Sequence, residues 1–326
     1  MKSIAVLLSA LLIVLPAWLD KISRDKVVIF ASLSYYKCDF DGDRLGDLSV
    51  WDSKNNILYY ELSSDRKFYK KKYFNNNLRH DPVFADYDGD GKTDIAFFQV
   101  VTGQWITYYS NSLSDKPEKT FLGSLGDIPV PSNLDGDKAY DKAIWRPNAS
   151  AWLILDLNEE GVKVPKLILE GNYEDSPISG DYDGDGVSDL GVWRPDDGHW
   201  HIVKSSTKFD FKQGEHIQHG QEWDIPVPND YDNDGKYDLV FWRPSNYKWY
   251  FLYAEDNRKH EILFGEKGDV PTSLDLNNDG YPELALWNVE KKSWKILNIK
   301  TGEKLTYKWN VSENCLPASS IIQRYE

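Results

Sequence analysis

The stretch Asp181-Tyr182-Asp183-Gly184-Asp185-Gly186-Val187-Ser188-Asp189, followed directly by Leu190-Gly191-Val192-Trp193, decides the fold of this chain. It places carboxylates at positions one, three, five and nine of a tight turn. The turn then runs into a short alternating apolar segment that ends in an aromatic. Short β-branched or aromatic runs bounded by Asp, Asn and Gly are the mark of strands and turns.

The same pattern occurs six times. DFDGDRLGD starts at Asp39, DYDGDGKTD at Asp86, NLDGDKAYD at Asn133, DYDNDGKYD at Asp230 and DLNNDGYPE at Asp275, at spacings of 47, 47, 48, 49 and 45 residues. The flanks repeat with it. A Gly-Asp-x-Pro lead precedes the loop, as at Gly126–Pro129 and Gly268–Pro271. An alternating run follows it, ending at Trp51, Phe98, Trp145, Trp193, Trp242 and Trp287. A second aromatic-led run comes after a polar turn, and a fourth stretch such as Lys119–Gly123 or His260–Gly265 closes the unit. No window sustains a helical period. Four strands per unit, repeated six times, predict an all-β propeller of six four-stranded blades, with seven blades, the last partial, as the alternative. Stacked blades bury the faces that one sheet leaves bare, and the repeated Trp residues are expected to fill the space between them.

The loops point to a cation. Alternating carboxylates on one turn gather hard oxygen ligands around a centre, which suits Ca²⁺; Mg²⁺ prefers to keep its waters. The glycines permit the left-handed backbone of the turn. The loop resembles the start of an EF-hand, but its closing acid comes at position nine and a strand follows it. The expected ligands are side chains at positions one, three, five and nine and the position-seven carbonyl. These are Asp39, Asp41, Asp43, Leu45 and Asp47; Asp86, Asp88, Asp90, Lys92 and Asp94; and Asn133, Asp135, Asp137, Ala139 and Asp141. The later copies supply Asp181, Asp183, Asp185, Val187 and Asp189; Asp230, Asp232, Asp234, Lys236 and Asp238; and Asp275, Asn277, Asp279, Tyr281 and Glu283. Arg44 and Lys138 stand where other copies have Gly, and the Asn133 and Asp275 loops, short of carboxylate charge, are expected to bind more weakly.

Charge agrees with this reading. The chain of 326 residues carries 52 acids against 38 bases, a net charge of −14, and 22 of the acids sit at loop ligand positions. Up to six Ca²⁺ would bring −14 to −2. The acidic balance argues against a nucleic-acid partner, because a phosphate backbone would be repelled.

Residues 1–17 (MKSIAVLLSALLIVLPA) have a basic start, an apolar run too short to span a bilayer and a small-residue end, the pattern of a secretory signal peptide. An uncleaved N-terminal anchor is the alternative; no stable membrane span is expected after cleavage. A secreted, periplasmic or cell-surface location follows. In such a compartment Cys38 and Cys315 are expected to pair and tie the ends of the ring, the other reading being two buried free thiols.

These residues resemble the FG-GAP/VCBS repeat family, the calcium-loop β-propellers of integrin α-chain heads and many exported proteins. The acidic loops, Leu263-Phe264-Gly265 and the Trp-Arg-Pro triplets at Trp145, Trp193 and Trp242 carry the resemblance, over residues 26–310, with 311–326 as a closing segment. The first, second and sixth units lack the triplet. The resemblance implies a binding or adhesion module for glycan or protein ligands of the cell surface or matrix. An exported carbohydrate- or lipid-active enzyme and a structural subunit of a surface assembly are the alternatives. No nucleophile elbow, zinc-protease motif or phosphate loop is present, and the six His lack a motif-like carboxylate partner, so no catalytic residue is assigned. Aromatics outside the core series, Tyr108, Tyr109, Trp223, Tyr247 and Trp309, suit ligand stacking and packing alike.

Overall fold

Leu190–Arg194, the run after the fourth acidic loop, is a strand paired on one side with Ser176–Pro177 and on the other with His199–Val203, which pairs in turn with Glu215–Gln218. This antiparallel meander is the unit of the whole molecule, a computed structural model that describes residues 26–30, 38–112, 116–157, 163–169, 171–319 and 321–325. The signal peptide expected at residues 1–17 lies outside the described residues.

Among the described residues there are six such four-stranded sheets, one per repeat. Blade 2 is His80–Pro82, Ile95–Gln99, Gln104–Tyr108 and Glu118–Phe121. Blade 3 begins at Ile128–Pro129, blade 4 at Ser176–Pro177, blade 5 at Ile225–Pro226 and blade 6 at Asp269–Leu274. Each acidic loop of blades 2 to 6 joins the first strand of its blade to the second. The expected propeller of six blades is the fold observed.

The core consists of the seams between blades. Trp193 and Trp200 face each other across a strand pair at a ring distance of 5.0 Å, as do Trp145 and Trp152 at 5.7 Å and Trp287 and Trp294 at 5.3 Å. Clusters built around these rings reach into the next blade. Trp145 and Trp152 pack with Leu190 and Val192, and Trp193 and Trp200 pack with Leu239 and Leu252. Trp242 and Trp249 pack with Leu284 and Leu286, and Trp287 and Trp294 with Leu48 and Val50. The last of these joins blade 6 to blade 1 and closes the circle. Trp309, considered above for ligand stacking, belongs to this seam and is 7% exposed.

Blade 1 is assembled from both ends of the chain. Leu316–Pro317 pairs with Leu48–Asp52, which continues to Ile57–Glu61 and Phe68–Lys72. Comparison with blade 2 fixes the register. Leu316 faces Trp51 as Asp81 faces Phe98, and the Cys38 carbonyl accepts from Asp47 N–H (2.9 Å) as that of Ala85 does from Asp94 (2.8 Å). Cys315 therefore corresponds to His80 and Cys38 to Ala85, five positions further along one composite strand. At strand rise that separation is about 16 Å, against the ~7 Å limit for the Cα atoms of a disulfide. The expected disulfide is accordingly not formed: both cysteines are free and buried. Cys38 lies with Ala85 and Tyr87, and Cys315 with Trp287 and Leu48. Backbone pairing closes the ring in its place, reinforced by a two-stranded ribbon of Lys26–Phe30 with Ile321–Tyr325.

Candidate metal loops and their neighbours

The Asp181 loop shows how the sequence builds a carboxylate cradle. Asp181, at position one, turns its carboxylate back into the loop. Its Oδ1 accepts from Gly184 N–H (2.7 Å) and its Oδ2 from Gly186 N–H (2.8 Å). Gly186 sits at φ +87°, in the region that favours glycine. Asp189, at position nine, is fully buried. Its Oδ2 accepts from Tyr182 N–H (2.9 Å) and its Oδ1 from Ser205 N–H (2.7 Å). Asp94 and Asp238 make the same pair of bonds in their own blades.

Four of the six loops bring three carboxylate oxygens within 4.8 Å of one another: Asp39, Asp41 and Asp43; Asp86, Asp88 and Asp90; Asp181, Asp183 and Asp189; Asp230, Asp232 and Asp234. The Asn133 and Asp275 loops are not among these groups, and local chemistry explains both. In the first, Lys138 replaces the left-handed glycine and does not take a positive φ, and the Asn133 amide donates to the Asp137 carbonyl at 2.9 Å. In the second, Asn277 Nδ2 and Asn298 Nδ2 each donate to Glu283 Oε1 at 2.8 Å, so amides satisfy the closing carboxylate. Arg44 behaves differently from Lys138. It adopts φ +74°, and its loop keeps the cradle.

Crowding and burial leave the cradles electrostatically uncompensated. Burial, with added repulsion from neighbouring carboxylates, pushes the position-nine acids up: Asp47 and Asp189 to about 7, Asp94 to about 6 and Asp238 to about 8. Asp183 Oδ1 and Asp232 Oδ1 are buried with no hydrogen-bond partner among the described residues. A buried carboxylate oxygen without a donor is costly. A hard cation among three to four such oxygens would remove that cost, so the donor set fits Ca²⁺.

Six cradle partners escaped the sequence reading. Ser63 and Ser64, Ser110 and Asn111, and Ser205 and Ser206 lie in the turn after the third strand of blades 1, 2 and 4. Ser205 Oγ donates to Asp185 Oδ2 (2.9 Å) and Ser206 Oγ to Asp183 Oδ2 (2.5 Å). Ser110 Oγ donates to Asp90 Oδ2 (3.0 Å), Asn111 Nδ2 to Asp88 Oδ2 (2.7 Å) and Ser63 Oγ to Asp43 Oδ2 (3.0 Å), while Ser64 bonds Asp41. A signal existed: the first residue of each pair falls sixteen positions after the loop's closing Asp.

Neighbouring loops are also tied together. The position-one carbonyl of one loop accepts from the position-eight N–H of the next: Thr93 to Asp39, Tyr140 to Asp86, Ser188 to Asn133 and Tyr237 to Asp181, at 2.6 to 2.7 Å. Only the Asp230–Pro282 junction lacks the donor, because proline has none. The opposite end of the blades carries ion pairs between half-buried Arg and buried Asp side chains. Arg146, Arg194 and Arg243 of the Trp-Arg-Pro triplets each fork onto the Asp of the preceding lead, Asp127, Asp175 and Asp224, at 2.7 to 3.0 Å.

Comparison with known proteins agrees with this architecture. Residues 39–97 match the model of the FG-GAP-like repeat. No curated protein sequence matches the chain. Among solved structures, the chain is similar to an Agrocybe aegerita lectin described as recognising non-reducing terminal N-acetylglucosamine. That likeness has a TM-score of 0.58 at 14% identity and covers 93% of this chain and 86% of that one. It is also similar to a catalytically inactive virginiamycin B lyase from Staphylococcus aureus with quinupristin, with a TM-score of 0.51 at 10% identity, covering 88% and 86%. At these identities the likeness is one of fold.

Proposed function

For this six-bladed FG-GAP-type propeller, we propose the role of an exported calcium-dependent binding module, not an enzyme, that presents one face of a rigid ring to glycan or protein ligands of a cell surface or matrix. Asp39, Asp41, Asp43 and Asp47, with their counterparts in the Asp86, Asp181 and Asp230 loops, hold the ions. Calcium neutralises the mutual repulsion of these acids and fixes the loop backbone; it takes no part in chemistry. The observation that carries the reading is the pair of buried, unpartnered oxygens, Asp183 Oδ1 and Asp232 Oδ1, in equivalent loops of adjacent blades. The signal-like N-terminus supports an extracellular setting, where calcium is abundant. The lectin likeness supports putting glycans in the first panel.

The test is binding of the full mature chain to a glycan and matrix-protein array, in calcium and in chelator. The expected result is binding to at least one ligand that chelation abolishes. Silence across the array in calcium, with the protein folded, would overturn the reading.

A further inference from the structure

Blade 2 departs from its neighbours at the end away from the acidic loops. Where blades 3, 4 and 5 have an Arg of the second strand forked onto a lead Asp, blade 2 has Gln99 and His80, paired across the strands. Beside this neutral pair lies a cleft of about 460 Å³, walled by residues of blade 2 and of the segment entering it. Phe74, Leu78, Ile106 and Phe121 give it apolar surface. Phe74 stacks on His80 at a ring distance of 3.7 Å and an angle of 12°. Leu78 and Phe121 remain 45% and 66% exposed at its mouth.

Gln99 is the polar feature of this wall. It is 3% exposed, and its Oε1 accepts from Thr102 N–H at 2.7 Å and also bonds the Thr102 hydroxyl. Those two donors fix the amide orientation and leave Nε2 buried with no acceptor among the described residues. A buried amide donor without a partner is the expense that a bound acceptor would remove. Charge points to the kind of acceptor. On a chain of net charge −14, no Asp or Glu among the described residues lines the cleft, while Lys119 does. Burial holds His80 neutral, with its pKa pushed down to about 4.

We propose that this cleft is a binding site for a small carboxylate with a flat or cyclic apolar body. The carboxylate oxygen accepts from Gln99 Nε2, the Lys119 ammonium balances its charge, and the apolar body lies among Phe74, Ile106 and Phe121. The site runs along blade 2 from the end away from the acidic loops; it goes beyond the calcium reading, which can fail without it.

Isothermal titration of the full chain in calcium would use benzoate and cyclohexanecarboxylate, with benzamide and methyl β-glucoside as neutral arms. The carboxylates are expected to bind. Gln99→Glu keeps the Thr102 acceptor but replaces the donor with a like charge, and should weaken binding about tenfold or more. Lys119→Gln should weaken it about threefold and flatten its salt dependence. Phe121→Ala, at an exposed position, should weaken it without loss of fold, which keeps the test available if Gln99→Glu unfolds. Absence of carboxylate binding, equal or tighter binding of a neutral arm, or carboxylate binding indifferent to Gln99→Glu and Phe121→Ala would each overturn the proposal.

Discussion

Gly46 N–H donates to the carbonyl of Asp275 at 2.7 Å. The bond joins the first acidic loop to the sixth, across the point where the two ends of the chain meet. It repeats a link made between four other pairs of neighbouring loops, so these bonds run across the seam where the chain ends meet and leave only the Asp230–Pro282 junction open. Pro282 already occupies the same loop position in blade 6, and Gly46 is not held at a positive φ. Gly46→Pro should therefore remove one hydrogen bond with little distortion. The expected cost is about 1 kcal/mol, read as a drop of a few degrees in melting temperature. A variant as stable as the parent would show that the collar bond contributes nothing.

Ser205 and Ser206 orient the carboxylates of Asp185 and Asp183 through their hydroxyls. Removing both, as Ser205→Ala with Ser206→Ala, leaves every expected first ligand in place but frees two of them to rotate. Outer partners of metal ligands commonly matter about 10- to 100-fold in affinity. Calcium titration should show one site weakened by at least about tenfold and the others unchanged, with a much smaller change in the stability of the chelated protein. Unaltered titration would mean that the hydroxyls do not orient ligands.

Much of the architecture is legible in the sequence, because each repeat carries its strands, turns and acids in fixed register. What escapes it are relations that cross the repeat. The partner of Val50 is Pro317, and no local pattern announces that a strand from the far end completes blade 1. Two cysteines near the two chain ends suggested a tie, yet the shared strand holds them lengthwise apart. The pairs that begin sixteen positions after Asp47, Asp94 and Asp189 are visible in the sequence, but they lie in a separate turn and do not recur after the other three loops. The second unit lacks the Trp-Arg-Pro triplet, and nothing in that local pattern announces the cleft that lies beside Gln99 and His80.

The two thiols provide a chemical test. Cys38 and Cys315 are 5% and 1% exposed, and burial pushes their pKa values up to about 12 and about 11. Thiolate, the reactive form, is scarce at such values. A thiol reagent at pH 8 should label neither cysteine in the native protein and both after unfolding without reductant. Failure to find two thiols after unfolding would restore the disulfide.

His219 is 8% exposed, and burial holds its pKa down at about 4 against an ordinary value near 6.5. The unfolded chain binds this proton more readily than the folded one. The stability tied to the neutral ring is thus complete above pH 6.5 and is lost as pH falls from there toward 4. Between pH 7.5 and pH 5 in saturating calcium, the wild type should lose more stability than His219→Gln, by on the order of 1–2 kcal/mol. Parallel losses in the two proteins would contradict a buried neutral His219.

The central claim is that divalent ions complete the carboxylate cradles of a closed propeller. Metal analysis of the purified protein, paired with its melting temperature in calcium and in chelator, tests it most directly. The account predicts calcium at about four per chain, matching the four loops with clustered acids. It also predicts a clear rise in melting temperature with calcium, since an ion bound by the folded state alone stabilises that state. A protein that is free of metal after exposure to calcium, and that melts at the same temperature with or without chelator, would contradict it.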